Sequence, residues 1–107
     1  MDLKQYQIVL VNLDPTVGSE INKTRPCVII SPKEMNKYLN TVIIAPMTTQ
    51  SKKYPTRIAV KHDSKIGWIV LDQIRTVDKQ RIYKALNCLT KKEIEEVKMT
   101  IKELLVD

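Results

Sequence analysis

Phenylalanine is absent from this 107-residue chain, glycine occurs only twice, and histidine once, at His62. Without Phe, the core has to be built from Ile, Val and Leu, with Trp68 and a few Tyr in support. Two cysteines, Cys27 and Cys88, are too few for a disulfide framework. Both sit within apolar patterns and are expected to be reduced core residues. No CxxC or HxxxH spacing occurs, so neither a metal site nor a cofactor is expected. No apolar run approaches the roughly 20 residues of a membrane span. Lys4 and Gln5 lie close before the first apolar run, which leaves no room for a signal peptide's apolar core. A cytoplasmic protein is the expectation. There is no low-complexity run, repeat or linker. With 43% apolar and 28% charged residues, a single folded domain over residues 1–107 is expected.

What the chain does have is positive charge, unevenly placed. The net charge is +6, yet residues 91–107 carry four lysines against five acids, so the remaining 90 residues hold +7. The densest part contains Lys52, Lys53, Arg57, Lys61 and Lys65. Such a field attracts a polyanion, either nucleic acid or an acidic protein segment.

The body reads as strands. Ile8–Val11, Val28–Ile30 and Val42–Ala45 are short β-branched runs, ended by Pro15, Pro32 and Pro46. Arg57–Val60, the stretch after Gly67, and Ile74–Val77 alternate, and Ile82–Leu89 reads as a last strand. Lys33–Leu39 is compatible with a short helical turn. A helix is expected from Thr90, because Thr90-Lys91-Lys92-Glu93 fits a capping box. Ile94, Val97, Ile101, Leu104 and Leu105 recur at helical spacing, giving one apolar face to lay on the sheet. Six or seven short strands and a terminal helix predict a mainly β (α+β) fold, a small partly open barrel.

Three segments stand out for chemistry. In Asn12–Pro32, a polar stretch holding Gly18, Ser19, Glu20 and Lys23 leads to Arg25-Pro26, immediately before the apolar run from Cys27. Proline biases Arg25 toward extended backbone, at the mouth of a strand. A guanidinium there suits a phosphate, although an ion pair with Glu20 fits equally. In Ala45–Pro55, Thr48 and Thr49 follow the proline beside Gln50 and Ser51. Hydroxyls at a strand end can donate to phosphate oxygens or cap the local backbone. In Val70–Arg75, alternation would place Asp72 and Ile74 on one face and Gln73 and Arg75 on the other, with Asp72 in a salt bridge.

Taken together, DPTVGSE…TRP with VIISP, PMTTQSKKYPTR and GWIVLDQIRTVDKQRI resemble the MazF/PemK/Kid family of toxin endoribonucleases, in order and spacing, from Ile8 to Leu89. The resemblance implies an SH3-like barrel of the Kid/CcdB type with a C-terminal helix, a homodimer, and cleavage of single-stranded RNA. It also implies an antitoxin partner with an acidic, largely disordered tail. By position, it assigns catalytic roles to Arg25 and Thr48, makes Glu20 the loop acid and Asp72 the strand acid, and makes Thr49 and Gln50 substrate contacts. Ser19, Lys23, Lys52, Lys53, Gln73 and Arg75 complete the expected RNA-binding set. Leu71 stands where some members carry an arginine.

RNA is cut without metal when its own 2′-hydroxyl attacks the adjacent phosphate, leaving a 2′,3′-cyclic phosphate and a 5′-hydroxyl. One histidine excludes a two-histidine mechanism. Arg25 and Thr48 can stabilise the charged phosphorane, and Glu20 and Asp72 are the candidate proton acceptors. Two other readings stay open: a CcdB-like toxin that poisons a protein such as gyrase without catalysis, and a plain nucleic-acid-binding barrel.

Overall fold

The computed structural model describes residues 2–13, 24–49, 55–62 and 65–106, the side chains at 62, 65 and 66 excepted. Among the described residues there are seven strands: β1 (Gln7–Asn12), β2 (Thr24–Ile29), β3 (Thr41–Thr48), β4 (Arg57–His62), β5 (Lys65–Val70), β6 (Arg75–Asp78) and β7 (Ile82–Cys88). Helix α1 (Lys33–Tyr38) precedes β3, and α2 (Lys91–Ile101) follows β7. The strands pair antiparallel in the order β4-β5-β3-β2-β1-β7, with β6 alongside the first half of β3. The sheet does not close on itself, which is the partly open architecture that the short strands predict.

The central strands are buried on both faces. Ile8, Val28 and Ala45 belong to one apolar cluster, with Ile58, Ile69, Leu71 and Val97, while Val9, Cys27, Ile29 and Ile44 belong to a second. Two-sided burial explains why these strands read as continuous apolar runs rather than as an alternation. Aliphatic side chains fill nearly all of both clusters. Trp68 is only half-buried, and Tyr38 and Tyr83 are exposed, so the aromatic support expected for the core is mostly missing. Cys27 is fully buried, but Cys88 is exposed near the end of β7, which corrects the expectation that both cysteines are core residues. β7 is an edge strand, and most of its residues beyond Ile82 are exposed or half-exposed.

Helix α2 starts as its sequence predicts. Thr90 Oγ1 accepts from the Glu93 amide at 3.2 Å, and Glu93 Oε1 accepts from the Thr90 amide at 2.8 Å. Val97 is fully buried, and Ile94 and Ile101 pack against the same cluster. The apolar stripe ends there. Residues Lys102–Val106 widen into a π-helical turn, and Leu104 and Leu105 are exposed rather than laid on the sheet.

Proline 46 does not end its strand. It lies within β3, opposite Cys27 of β2. The Ile30 amide donates to the Ile43 carbonyl at 2.8 Å, which fixes the phase of the β2–β3 ladder. Alternation then turns the Pro46 nitrogen away from β2, into the gap between the last β6 pair (Ile44–Arg75) and the first β5 pair (Met47–Ile69). The same phase points the Pro26 nitrogen toward β3, just past the final β2–β3 pair, Cys27–Pro46. Neither missing N–H costs a ladder bond. Beyond these two prolines β3 leaves β2 and pairs with β5, and the separation opens a cleft. Pro15, expected to end the first strand run, lies outside the described residues.

Candidate active site

An open cleft of about 430 Å³ lies where β2 and β3 part. Arg25 enters it from the start of β2, held in register opposite Val11 of β1. Thr48 enters from the end of β3, opposite Trp68 of β5. Gln73 and Arg75 line it from the segment after β5, and Arg57 from the start of β4. Leu13, Pro46, Met47 and Val70 complete the walls. Three arginines and no carboxylate line the cleft among the described residues. That charge, with a hydroxyl and an amide, matches an anion carrying acceptor oxygens.

The sequence-predicted residues divide into three groups. Arg25, Thr48, Gln73 and Arg75 come together in the cleft. Thr49 is exposed next to Thr48, and neither Thr49 nor Asp72 belongs to the lining. Ser19, Glu20, Lys23, Gln50, Lys52 and Lys53 lie outside the described residues.

Asp72 departs from its expected setting. Leu71–Gln73 is a 3₁₀ turn between β5 and β6, so the strand alternation assigned to this stretch does not apply. The buried Leu71 side chain pins the turn to the core, and its amide donates to the Thr56 carbonyl at 3.1 Å. Asp72 does form the expected salt bridge, with Arg57 as its partner, Nε to Oδ1 at 3.3 Å. Thr56 Oγ1 donates to the same oxygen at 2.9 Å. Partial burial raises the carboxyl's pKa, but the hydrogen bonds from Arg57 and Thr56 outweigh it, and Asp72 is held below its ordinary value.

Arg57 is the functional candidate that sequence reading passes over. It was legible as part of the basic stretch. Its place in the cleft depends on the β4–β5 register, which sets Arg57 opposite Val70, two residues before Asp72. Cys27 lies opposite Pro46, and burial pushes its thiol up to about 12 despite the nearby Arg25 and Arg75 charges. It is therefore a packing residue and not a nucleophile. Among the described residues, no three His, Cys, Asp or Glu side chains are grouped to hold a metal ion.

The sequence and the fold have counterparts among known proteins. Residues 4–105 match the family model described as PemK-like, MazF-like toxin of type II toxin–antitoxin system. The chain is 36% identical over 105 residues to an endoribonuclease MazF from Staphylococcus saprophyticus, spanning 92% of this chain and 88% of that one. Its fold superposes on MazF from Deinococcus radiodurans with a TM-score of 0.82, at 23% identity, over 100% of this chain and 99% of the other. It also matches a mycobacterial endoribonuclease solved with its cognate antitoxin, at a TM-score of 0.80 and 19% identity, over 97% and 95% of the two chains. With the family model spanning nearly every residue and the cleft built from the three segments that carry the resemblance, the chain belongs to the PemK/MazF family of toxins of type II toxin–antitoxin systems.

Proposed function

We propose that the protein is the endoribonuclease toxin of a toxin–antitoxin pair, a single domain over residues 1–107 that cuts single-stranded RNA in the cleft between β2 and β3. The observation that carries this reading is the convergence of Arg25, Arg57, Arg75, Thr48 and Gln73 on one open, carboxylate-free wall of described residues. Its open form suits an unpaired strand whose bases can splay apart.

In the proposed reaction the ribose 2′-oxygen attacks the adjacent phosphorus. The new P–O bond closes a 2′,3′-cyclic phosphate, and the bond to the 5′-oxygen breaks. Arg25 and Thr48 donate to the phosphorane oxygens as charge builds, a contribution of roughly 3–4 kcal/mol for a well-placed donor. The 2′-hydroxyl proton passes to a carboxylate, for which Glu20 and Asp72 are the candidates. The leaving 5′-oxygen takes up a proton, with Arg25 the candidate donor. No metal enters these steps.

Gln73 and Arg75 would contact bases and flanking phosphates, with Ser19, Lys23, Thr49, Gln50, Lys52 and Lys53 extending the track. An acidic antitoxin tail would compete for the same cations, and the encounter would weaken as salt rises. A homodimer in the cytoplasm completes the reading; among the described residues no helix is long and apolar enough to cross a membrane. The test is cleavage of single-stranded and duplex RNA in excess EDTA. The proposal expects the single strand cut and the duplex spared. Cleavage that vanishes with chelator and returns with Mg²⁺ contradicts it.

A further inference from the structure

The Asp72 carboxylate sits close behind the cleft yet faces another residue. Arg57 Nε reaches Oδ1 at 3.3 Å, and its Nη2 lies 3.5 Å from Oδ2, so the guanidinium meets the carboxylate with two of its nitrogens. Thr56 Oγ1, 2.9 Å from Oδ1, holds the carboxylate from the adjoining residue. The backbone supports the pair from both sides. Arg57 is in register with Val70, and the Leu71 amide is tied to the Thr56 carbonyl at 3.1 Å. The two side chains are 20% and 33% exposed, so the pair lies at the surface, and its geometry is fixed by the two guanidinium nitrogens and the Thr56 hydroxyl rather than by burial. Arg57 lines the cleft beside Thr48 and Gln73, and Asp72 does not.

We propose that Arg57 is an RNA phosphate contact of the cleft and that Asp72 is its positioning residue, holding the guanidinium toward the strand instead of accepting the 2′-hydroxyl proton. Both Asp72 oxygens are engaged by Arg57, and one also by Thr56, and the carboxylate is not part of the cleft lining. The lowered pKa makes it a weaker base as well. An arginine oriented by a carboxylate loses less side-chain freedom when it grips a phosphate, and the paired acid does not cancel the attraction at contact distance. Of the two candidate acceptors, this leaves Glu20.

The inference rests on the proposed RNA-cleaving function, and the experiment separates the two. Binding is measured by anisotropy with a single-stranded oligoribonucleotide whose 2′-hydroxyls are replaced by hydrogen, over a range of salt, and cleavage with the unmodified oligonucleotide. Arg57→Ala should weaken binding roughly tenfold or more and lower the salt slope by about one. Arg57→Lys should restore the slope without restoring the affinity, because the charge survives and the fork does not. Asp72→Asn should weaken binding about threefold, leave the acid limb of the kcat/KM pH profile in place, and add nothing when combined with Arg57→Ala. Melting curves identify any variant that is merely unfolded, and Arg57→Lys retains the packing of the stem. A wild-type protein that neither binds nor cuts the oligonucleotide overturns the functional reading. Wild-type binding with an unchanged slope in Arg57→Ala overturns the Arg57 assignment alone. A collapse of kcat at constant KM in Asp72→Asn, with loss of the acid limb, makes Asp72 the base and overturns its positioning role.

Discussion

Two hollows meet at Arg57, and they are opposite in character. On one side is the cleft, walled by Arg25, Arg57 and Arg75 with no described carboxylate. On the other is a groove of about 550 Å³ between β4, β5 and α2, floored by Ile58, Ala59, Trp68 and Met99 and edged by Glu96 and Glu103. The groove is larger than the cleft and more apolar. Its two glutamates would repel a phosphate chain. A total charge of +6 says only that the protein favours polyanions; the placement of charge says which hollow receives one. The segregation begins in the sequence, where residues 91–107 carry a slight acidic excess and all the positive surplus lies before them.

The sharpest way to break this contrast is to disarm the cleft. Arg25→Ala and Thr48→Ala should each lower kcat by about 10²–10³, a loss of roughly 3–4 kcal/mol of transition-state stabilisation, with the melting temperature unchanged. Both side chains are half-buried at strand ends, and neither belongs to the two core clusters. Full activity in a folded variant of either would move the chemistry elsewhere.

A second comparison lies within α2, which has one face in the core and another at the groove. Val97→Ala empties a fully buried position and should cost about 2 kcal/mol in urea unfolding. Met99→Ala, at a side chain that is 62% exposed, should stay within about 0.5 kcal/mol. Equal losses would mean that the groove face is packed in solution against something further.

The smallest expected effect sharpens the contrast from the other side. Glu96→Gln combined with Glu103→Gln should leave RNA cleavage within about twofold of wild type at physiological salt, where charges beyond about 8 Å are screened. A tenfold gain would show that the strand crosses the groove, and the division of labour between the hollows would fail.

The parts of this architecture that were legible in the sequence are those decided locally. β-branched runs mark the strands, and the Thr90–Glu93 box marks the start of α2, because both depend on residues within a few positions. What escaped depends on what lies across the sheet. Pro46 looks like a strand end because it lacks an N–H, and only the pairing pattern shows that no partner was waiting for that N–H. Leu71–Gln73 fits an alternation in sequence, yet the buried Leu71 and its bond to Thr56 turn it into a 3₁₀ segment. Arg57 looks like one more solubilising charge until the β4–β5 register brings it to Asp72. Arg25 and Thr48 were legible for the converse reason. Each is tied to a proline and a flanking apolar run that announce a strand terminus in the sequence itself.

Attack of the RNA on itself in the cleft is tested most directly by one substitution in the substrate. An oligonucleotide cut at a single mapped site is remade with hydrogen in place of the one 2′-hydroxyl that would attack. This RNA should still bind but not be cut, and the unmodified RNA should yield a 2′,3′-cyclic phosphate and a 5′-hydroxyl. Cleavage of the 2′-deoxy substrate at the same site, with 5′-phosphate ends, would contradict self-attack.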